Sequence, residues 1–124
     1  MKIQLEIDDA PPTANQMWRM AHGRQVLSRD AKQWYETVRY FLAGVKVPKE
    51  WPFYKVEIVV EPKIRRGDVD NRIKPVLDAL TKCQFWTDDE KVAFVSCRFG
   101  KVNRAGKTFV TVSRMERKFL SDGE

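Results

Sequence analysis

The chain has 124 residues, 43% of them hydrophobic, and its 23 Lys and Arg against 17 Asp and Glu leave a net charge of +6. That length suits one domain with a single core, and no repeat, Ser/Gly linker or low-complexity tract divides residues 1–124. No apolar run approaches the roughly 20 residues of a membrane helix, and residues 1–7 alternate in polarity where a secretory signal needs a continuous apolar stretch. A cytoplasmic protein without membrane association is therefore expected.

Ile3, Leu5 and Ile7 alternate with Lys2, Gln4 and Glu6, the period of a strand with one buried face. Residues 11–27 lack a clear period and read as a long irregular connection, made basic by Arg19, His22, Arg24 and, just beyond it, Arg29. Ser28 is a good N-cap for a helix whose apolar positions are Ala31, Trp34, Tyr35, Val38, Phe41, Leu42 and Val45, with Gly44 and Pro48 as stops. Trp34 is assigned to the core and Trp51 to a strand boundary. A strand over 53–60 puts Val56, Ile58 and Val60 on one face. Residues 70–82 read as a second helix, with Ile73, Val76, Leu77 and Leu80 on one side. Pro75 requires that it start near Lys74 or bend there. Residues 92–102 and 107–113 are β-rich and flank the turn-forming Asn103-Arg104-Ala105-Gly106, which predicts a closing hairpin. The order β-α-β-α-β-β implies an α+β fold, a mixed sheet with two helices packed on one face.

The basic excess, with a pI near 9.5, favours a nucleic-acid partner without proving one. Chemistry concentrates in residues 63–74 (KIRRGDVDNRIK) and 87–90 (TDDE). If Asp68 and Asp70 lie in extended backbone, their separation of two puts both carboxylates on one face. A divalent ion is the economical neutraliser, since Mg2+ takes one or two carboxylates, keeps waters and accepts substrate phosphates. Lys74, four residues after Asp70, falls about one helical turn away and can steady charge on a phosphate. Asp88 and Asp89 join this group only if the fold returns the chain to the same end of the sheet. Taken singly, each acidic pair is explained as readily by a helix cap or a solvated turn.

Other schemes fail on composition. An EF-hand starting at Asp68 would put Arg72, Ile73 and Ala79 where a ligand, a glycine and the bidentate glutamate belong. His22 is the single histidine, which excludes a His-rich zinc site. No GxxxxGK[ST] loop is present, so no nucleotide cofactor is expected. Cys83 and Cys97 match neither a CxxC motif nor a zinc knuckle and read as reduced, inert core residues.

Together, RGDVDNRIKPVLDAL (66–80) and FWTDDEKV (85–92) resemble the RusA family of Holliday junction resolvases, with its D-x-D-N-x-x-K-x-x-x-D-A-L and D-D-x-x-V stretches in order. Pro11-Pro12-Thr13-Ala14-Asn15 and Arg19 resemble the amino-terminal P-P-S-x-N-x-x-x-R segment more loosely. The resemblance implies a RusA-like fold and a homodimer that cuts four-way junction DNA with Mg2+, Mn2+ being the substitute ion. Asp68, Asp70 and Asp89 become the metal-binding catalytic acids and Lys74 the catalytic lysine, with Asp88 a possible helper. Asn15 and Arg19 join Lys63, Arg65, Arg66, Arg72, Arg24 and Arg29 as candidate DNA contacts. Phe85 and Trp86 are candidates to wedge against unstacked bases, with core packing expected for at least one of them. A branched-DNA binding protein without useful catalysis, and a less selective flap or fork nuclease, are the alternatives. One departure is Cys83-Gln84 after the motif helix, where family members often have glycine. A left-handed cap there is costlier with glutamine.

Overall fold

Alternating apolar residues build the main sheet in the computed structural model, which describes residues 2–120. Strand β1 (Lys2–Ile7) turns Leu5 and Ile7 inward. Strand β4 (Phe53–Glu61) buries Tyr54, Val56, Ile58 and Val60, and β6 (Lys107–Met115) buries Thr108, Val110 and Val112. Strand β5 (Val92–Phe99) completes the sheet in the order β1-β6-β4-β5. Strand β6 runs antiparallel to both of its neighbours, whereas β4 and β5 are parallel. The sheet is thus mixed, as expected for an α+β fold.

Helix α1 (Arg29–Leu42) begins where Ser28 Oγ accepts the Ala31 amide at 3.1 Å and ends in the left-handed Ala43 and Gly44. Its Ala31, Trp34, Val38 and Leu42 enter the same core as the inward side chains of the strands. Helix α2 (Ile73–Lys82) adds Val76, Ala79 and Leu80 to that core. Pro75 sits in its first turn, where an amide proton would have no helical partner. The Pro75 carbonyl accepts Trp34 Nε1 at 3.0 Å, tying the two helices together. After α2, Gln84 adopts the left-handed φ of 63° while the Phe85 amide returns to Leu80 O at 2.9 Å. The glutamine therefore takes the backbone conformation that glycine would take without strain.

Two expectations are corrected. Residues 11–27 are not wholly irregular: Trp18–Ala21 (β2) and Arg24–Leu27 (β3) form an antiparallel hairpin. His22 and Gly23, at φ 53° and 78°, supply the two left-handed positions of its tight turn, and that dipeptide is the feature the polarity pattern conceals. Nor do β5 and β6 pair with each other, because β4 lies between them. The linking segment crosses the end of β4, where the amides of Gly100 and Asn103 donate to Val60 O and Pro62 O at 2.8 and 2.9 Å. Asn103 Nδ2 also donates to Glu61 Oε1 at 3.0 Å.

Both cysteines are free and half-buried against the core. Burial raises both thiols, Cys97 to about 11 even though the Arg72 charge works in the opposite direction. Inert, protonated thiols follow at neutral pH. Among the described residues no helix is long and apolar enough to cross a membrane.

Candidate active site

The chain leaves the carboxyl end of β4 through an exposed loop, Lys63–Asp68, and enters a 3-10 turn, Val69–Arg72, directly ahead of α2. Asp68 is extended at the head of this turn, whereas Asp70 lies inside it. The two carboxylates therefore do not share a strand face. The turn holds them a few residues apart on an exposed corner, and among the described residues neither forms an ion pair. Lys74, on the first turn of α2, points its ammonium along the helix to Asp78 Oδ1 at 3.4 Å. Both partners face solvent, so this contact constrains Lys74 weakly.

The second acidic pair sits elsewhere. Helix α2 runs back alongside the parallel pair, and Asp89 opens a 3-10 turn, Asp89–Lys91, that leads into β5. Asp68 and Asp70 thus lie at one end of α2 and Asp89 at the other, separated by a ten-residue helix that alone spans about 15 Å. The fold does not return Asp88 and Asp89 to the end of the sheet that carries Asp68 and Asp70. Among the described residues no three His, Cys, Asp or Glu side chains stand close enough to hold a metal ion. Asp88 uses a carboxylate oxygen to accept the Glu90 amide at 2.8 Å, which makes it the local cap and leaves Asp89 the uncommitted member of the pair. Next to it Trp86 stacks on Tyr54 with ring centroids 5.4 Å apart, and Trp86 Nε1 donates to Thr81 Oγ1 at 2.7 Å. Burial, with Asp88 adding to it, raises the Tyr54 hydroxyl. Phe85 and Trp86 are 1% and 5% exposed, so neither presents a ring to a base.

The cations divide into three groups. Arg65 and Arg66 are exposed on the loop after β4, and Arg24 and Arg29 on β3 and the first residue of α1. Lys63 is committed to the nearly buried Asp9 carboxylate at 2.9 Å. Arg72 is 7% exposed and faces inward: its Nη1 donates to Pro11 O at 2.6 Å and its Nη2 to Arg66 O at 3.2 Å. The guanidinium also lies over the Phe99 ring, and burial lowers its proton affinity. An external phosphate contact is thus replaced by an internal clasp between the Pro11-Pro12 segment and the loop that delivers Asp68.

The hairpin is rooted beside the acidic turn. Ala14–Gln16, a short 3-10 turn ahead of β2, packs on Val69–Arg72, and Thr13 Cγ2 lies 3.6 Å from where a Cβ would stand on Gly67. Asn15 and Arg19 line an open depression there together with Trp18, Met20 and Gln25. Trp18 and Met20 are 51% and 65% exposed. Only the hairpin geometry distinguishes both from loop residues awaiting burial, a signal the sequence does not carry.

A family model described as "Endodeoxyribonuclease RusA" matches residues 9–113. The chain is also 31% identical over 110 residues to the crossover junction endodeoxyribonuclease of Enterobacteria phage 82, a match covering 85% of this chain and 89% of the relative. The same identity and coverage hold for the proteins of that name in Escherichia coli strain K12 and Shigella sonnei strain Ss046.

Proposed function

The chain belongs to the RusA family of endodeoxyribonucleases, and from that premise we propose that it resolves four-way DNA junctions in the cytoplasm as a Mg2+-dependent homodimer. It is a crossover junction endodeoxyribonuclease, and divalent-metal hydrolysis of phosphodiesters is the chemistry of its family. The observation that carries the finer reading is the exposed corner that presents Asp68 and Asp70 beside the hairpin root, with Lys74 one turn on.

The chemistry of these side chains fits a hard cation. Asp68 and Asp70 are oxygen donors, exposed and without an ion pair among the described residues, and Mg2+ commonly takes one or two carboxylates with waters and phosphate oxygens filling its shell. Asp68 and Asp70 would hold the ion, Asp89 would supply a further carboxylate, and Mn2+ would substitute. When bound, the ion neutralises charge on the phosphate and acidifies a water. Lys74, held among the described residues by an exposed contact to Asp78, steadies the charge that develops on the scissile group. Arg65, Arg66, Arg24, Arg29, Asn15 and Arg19 contact the DNA, and Lys63 contributes where its pairing with Asp9 allows.

A four-way junction has approximate two-fold symmetry and needs two opposed cuts, which two copies of one site provide. The distance along α2 adds a second reason for pairing. Asp89 does not meet Asp68 and Asp70 within one protomer, so a two-fold partner is the economical source of the third carboxylate. The test is cleavage of synthetic junctions and linear duplex by wild type, Asp70→Asn, Asp89→Asn and an equimolar mixture of the two variants. Each variant alone should bind and not cut. The mixture should regain nicking, since mixed dimers carry one intact site. Cleavage by Asp70→Asn, or by wild type without metal, would refute the catalytic assignment; equal cutting of duplex would refute junction selectivity. An inactive mixture would refute sharing across the dimer.

A further inference from the structure

The β2–β3 hairpin is a two-stranded ribbon that shares no ladder with the main sheet. Such a ribbon is marginal by itself, and here its base is fastened. Met17 is buried, the Ser28 amide donates to Met17 O at 2.9 Å, and Ser28 Oγ donates to Gln16 O at 2.6 Å while capping α1. The register gives the ribbon two unlike faces. Trp18 and Met20 share one face with Gln25 and Leu27, and Arg19 and Arg24 share the other with Ala21 and Val26. No acidic residue occurs between Asp9 and Asp30, so the charges the ribbon itself carries are all positive. The other three tryptophans are at most 5% exposed.

We infer that this hairpin is the element that engages the branch point: Trp18 stacks on a base splayed from the crossover, Met20 extends the apolar platform, and Arg19 and Arg24 hold phosphates on the opposite face. The inference rests on the junction-resolving function. An aromatic face with adjacent cations is the chemistry that binds unstacked nucleotides, because every base offers a π-face and every linkage a negative charge. A stacked linear duplex exposes no base face to it. The ribbon thereby supplies selectivity for branched DNA, while its root, packed on the Asp68–Asp70 turn, keeps the opened base close to the acids.

The experiment uses the full chain without metal, a four-way junction carrying 2-aminopurine at the crossover, and a linear duplex of the same sequence. Tryptophan emission should be quenched by the junction and not by the duplex, since the remaining tryptophans are buried. Trp18→Ala should weaken junction binding about tenfold, the scale of one base–aromatic stack, and lower the 2-aminopurine response. Trp18→Phe should stay within about threefold of wild type by retaining a ring. Duplex affinity should be unchanged in both. If wild type prefers and cuts junctions but Trp18→Ala binds them as wild type does, the hairpin assignment alone is overturned. If sedimentation shows Trp18→Ala to have lost its dimer, the apolar face is instead a surface between copies, and the assignment is again overturned. Absence of any junction preference in wild type would overturn the function itself.

Discussion

Replacing Arg72 by methionine isolates what its inward-facing guanidinium does. The side chain donates to Pro11 O at 2.6 Å and to Arg66 O at 3.2 Å, and a hydrogen bond from a charged group contributes about 1.5–3 kcal/mol. Burying the charge opposes this, as the lowered proton affinity and the unpartnered Nε both indicate. Methionine keeps an apolar stem against Phe99 but leaves two carbonyls without their donor, so the net loss should be about 2–3 kcal/mol. For a domain of this size the melting temperature should fall on the order of 10 °C. Urea unfolding at neutral pH measures the loss directly. Arg72→Lys should recover little of it, since one ammonium cannot reproduce a planar fork that spans two carbonyls. Because the clasp steadies the loop ahead of Asp68, the Mg2+ concentration for half-maximal cleavage should rise more than the rate at saturating metal falls. Unfolding of Arg72→Met within about 0.5 kcal/mol of wild type would refute this reasoning, because that is the scatter of neutral surface changes.

Three further outcomes follow from the backbone and the core. Gln84→Gly should stabilise the protein by about 0.5–1 kcal/mol, measured by urea unfolding, because it relieves a left-handed side chain at the end of α2. Gly106→Ala should destabilise by about 3 kcal/mol in the same assay: its φ is +77°, and the added Cβ would stand 2.7 Å from the Ala10 backbone nitrogen. The Cys97 thiol, raised by burial from its ordinary 9.0 to about 11, binds its proton more tightly folded than unfolded. Its contribution to stability is therefore complete below pH 9 and is lost as the pH rises toward 11. Comparing unfolding of wild type and Cys97→Ala from pH 8 to 11 should show that extra loss in wild type alone.

Periodicity made α1, β1 and β4 readable, because their buried residues repeat at 3.6 or 2 and Ser28 marks a start. It did not reveal how strands associate. Residues 92–102 and 107–113 look like hairpin partners because they are adjacent in sequence, yet β6 forms ladders with β1 and β4, and those pairings depend on residues 46 to 111 positions away. The β2–β3 hairpin was hidden because Trp18 and Met20 are exposed apolar residues on strands only four residues long. In the site, the motif spacing selected Asp68, Asp70, Lys74 and Asp89 through family likeness. The expected common face failed because Asp70 entered a 3-10 turn, and helix length kept Asp89 apart. Arg72 could not be told from its exposed neighbours, since only tertiary contacts reveal that its donors end on Pro11 and Arg66.

The strand order β1-β6-β4-β5 bears on how the polypeptide emerges from a ribosome. Among the described residues its first strand finds its only ladder on its last, and β4 acquires its antiparallel neighbour from that same late segment. Until residues 107–115 have been synthesised, β1 has no partner and β4 has an open edge. Such long-range closure is slow relative to helix formation. The nascent chain can assemble its helices and the parallel β4–β5 pair early, but it completes the sheet only once β6 has emerged. A truncation within β6 should therefore leave an aggregation-prone chain with an unpaired strand edge, and should not give a shortened nuclease.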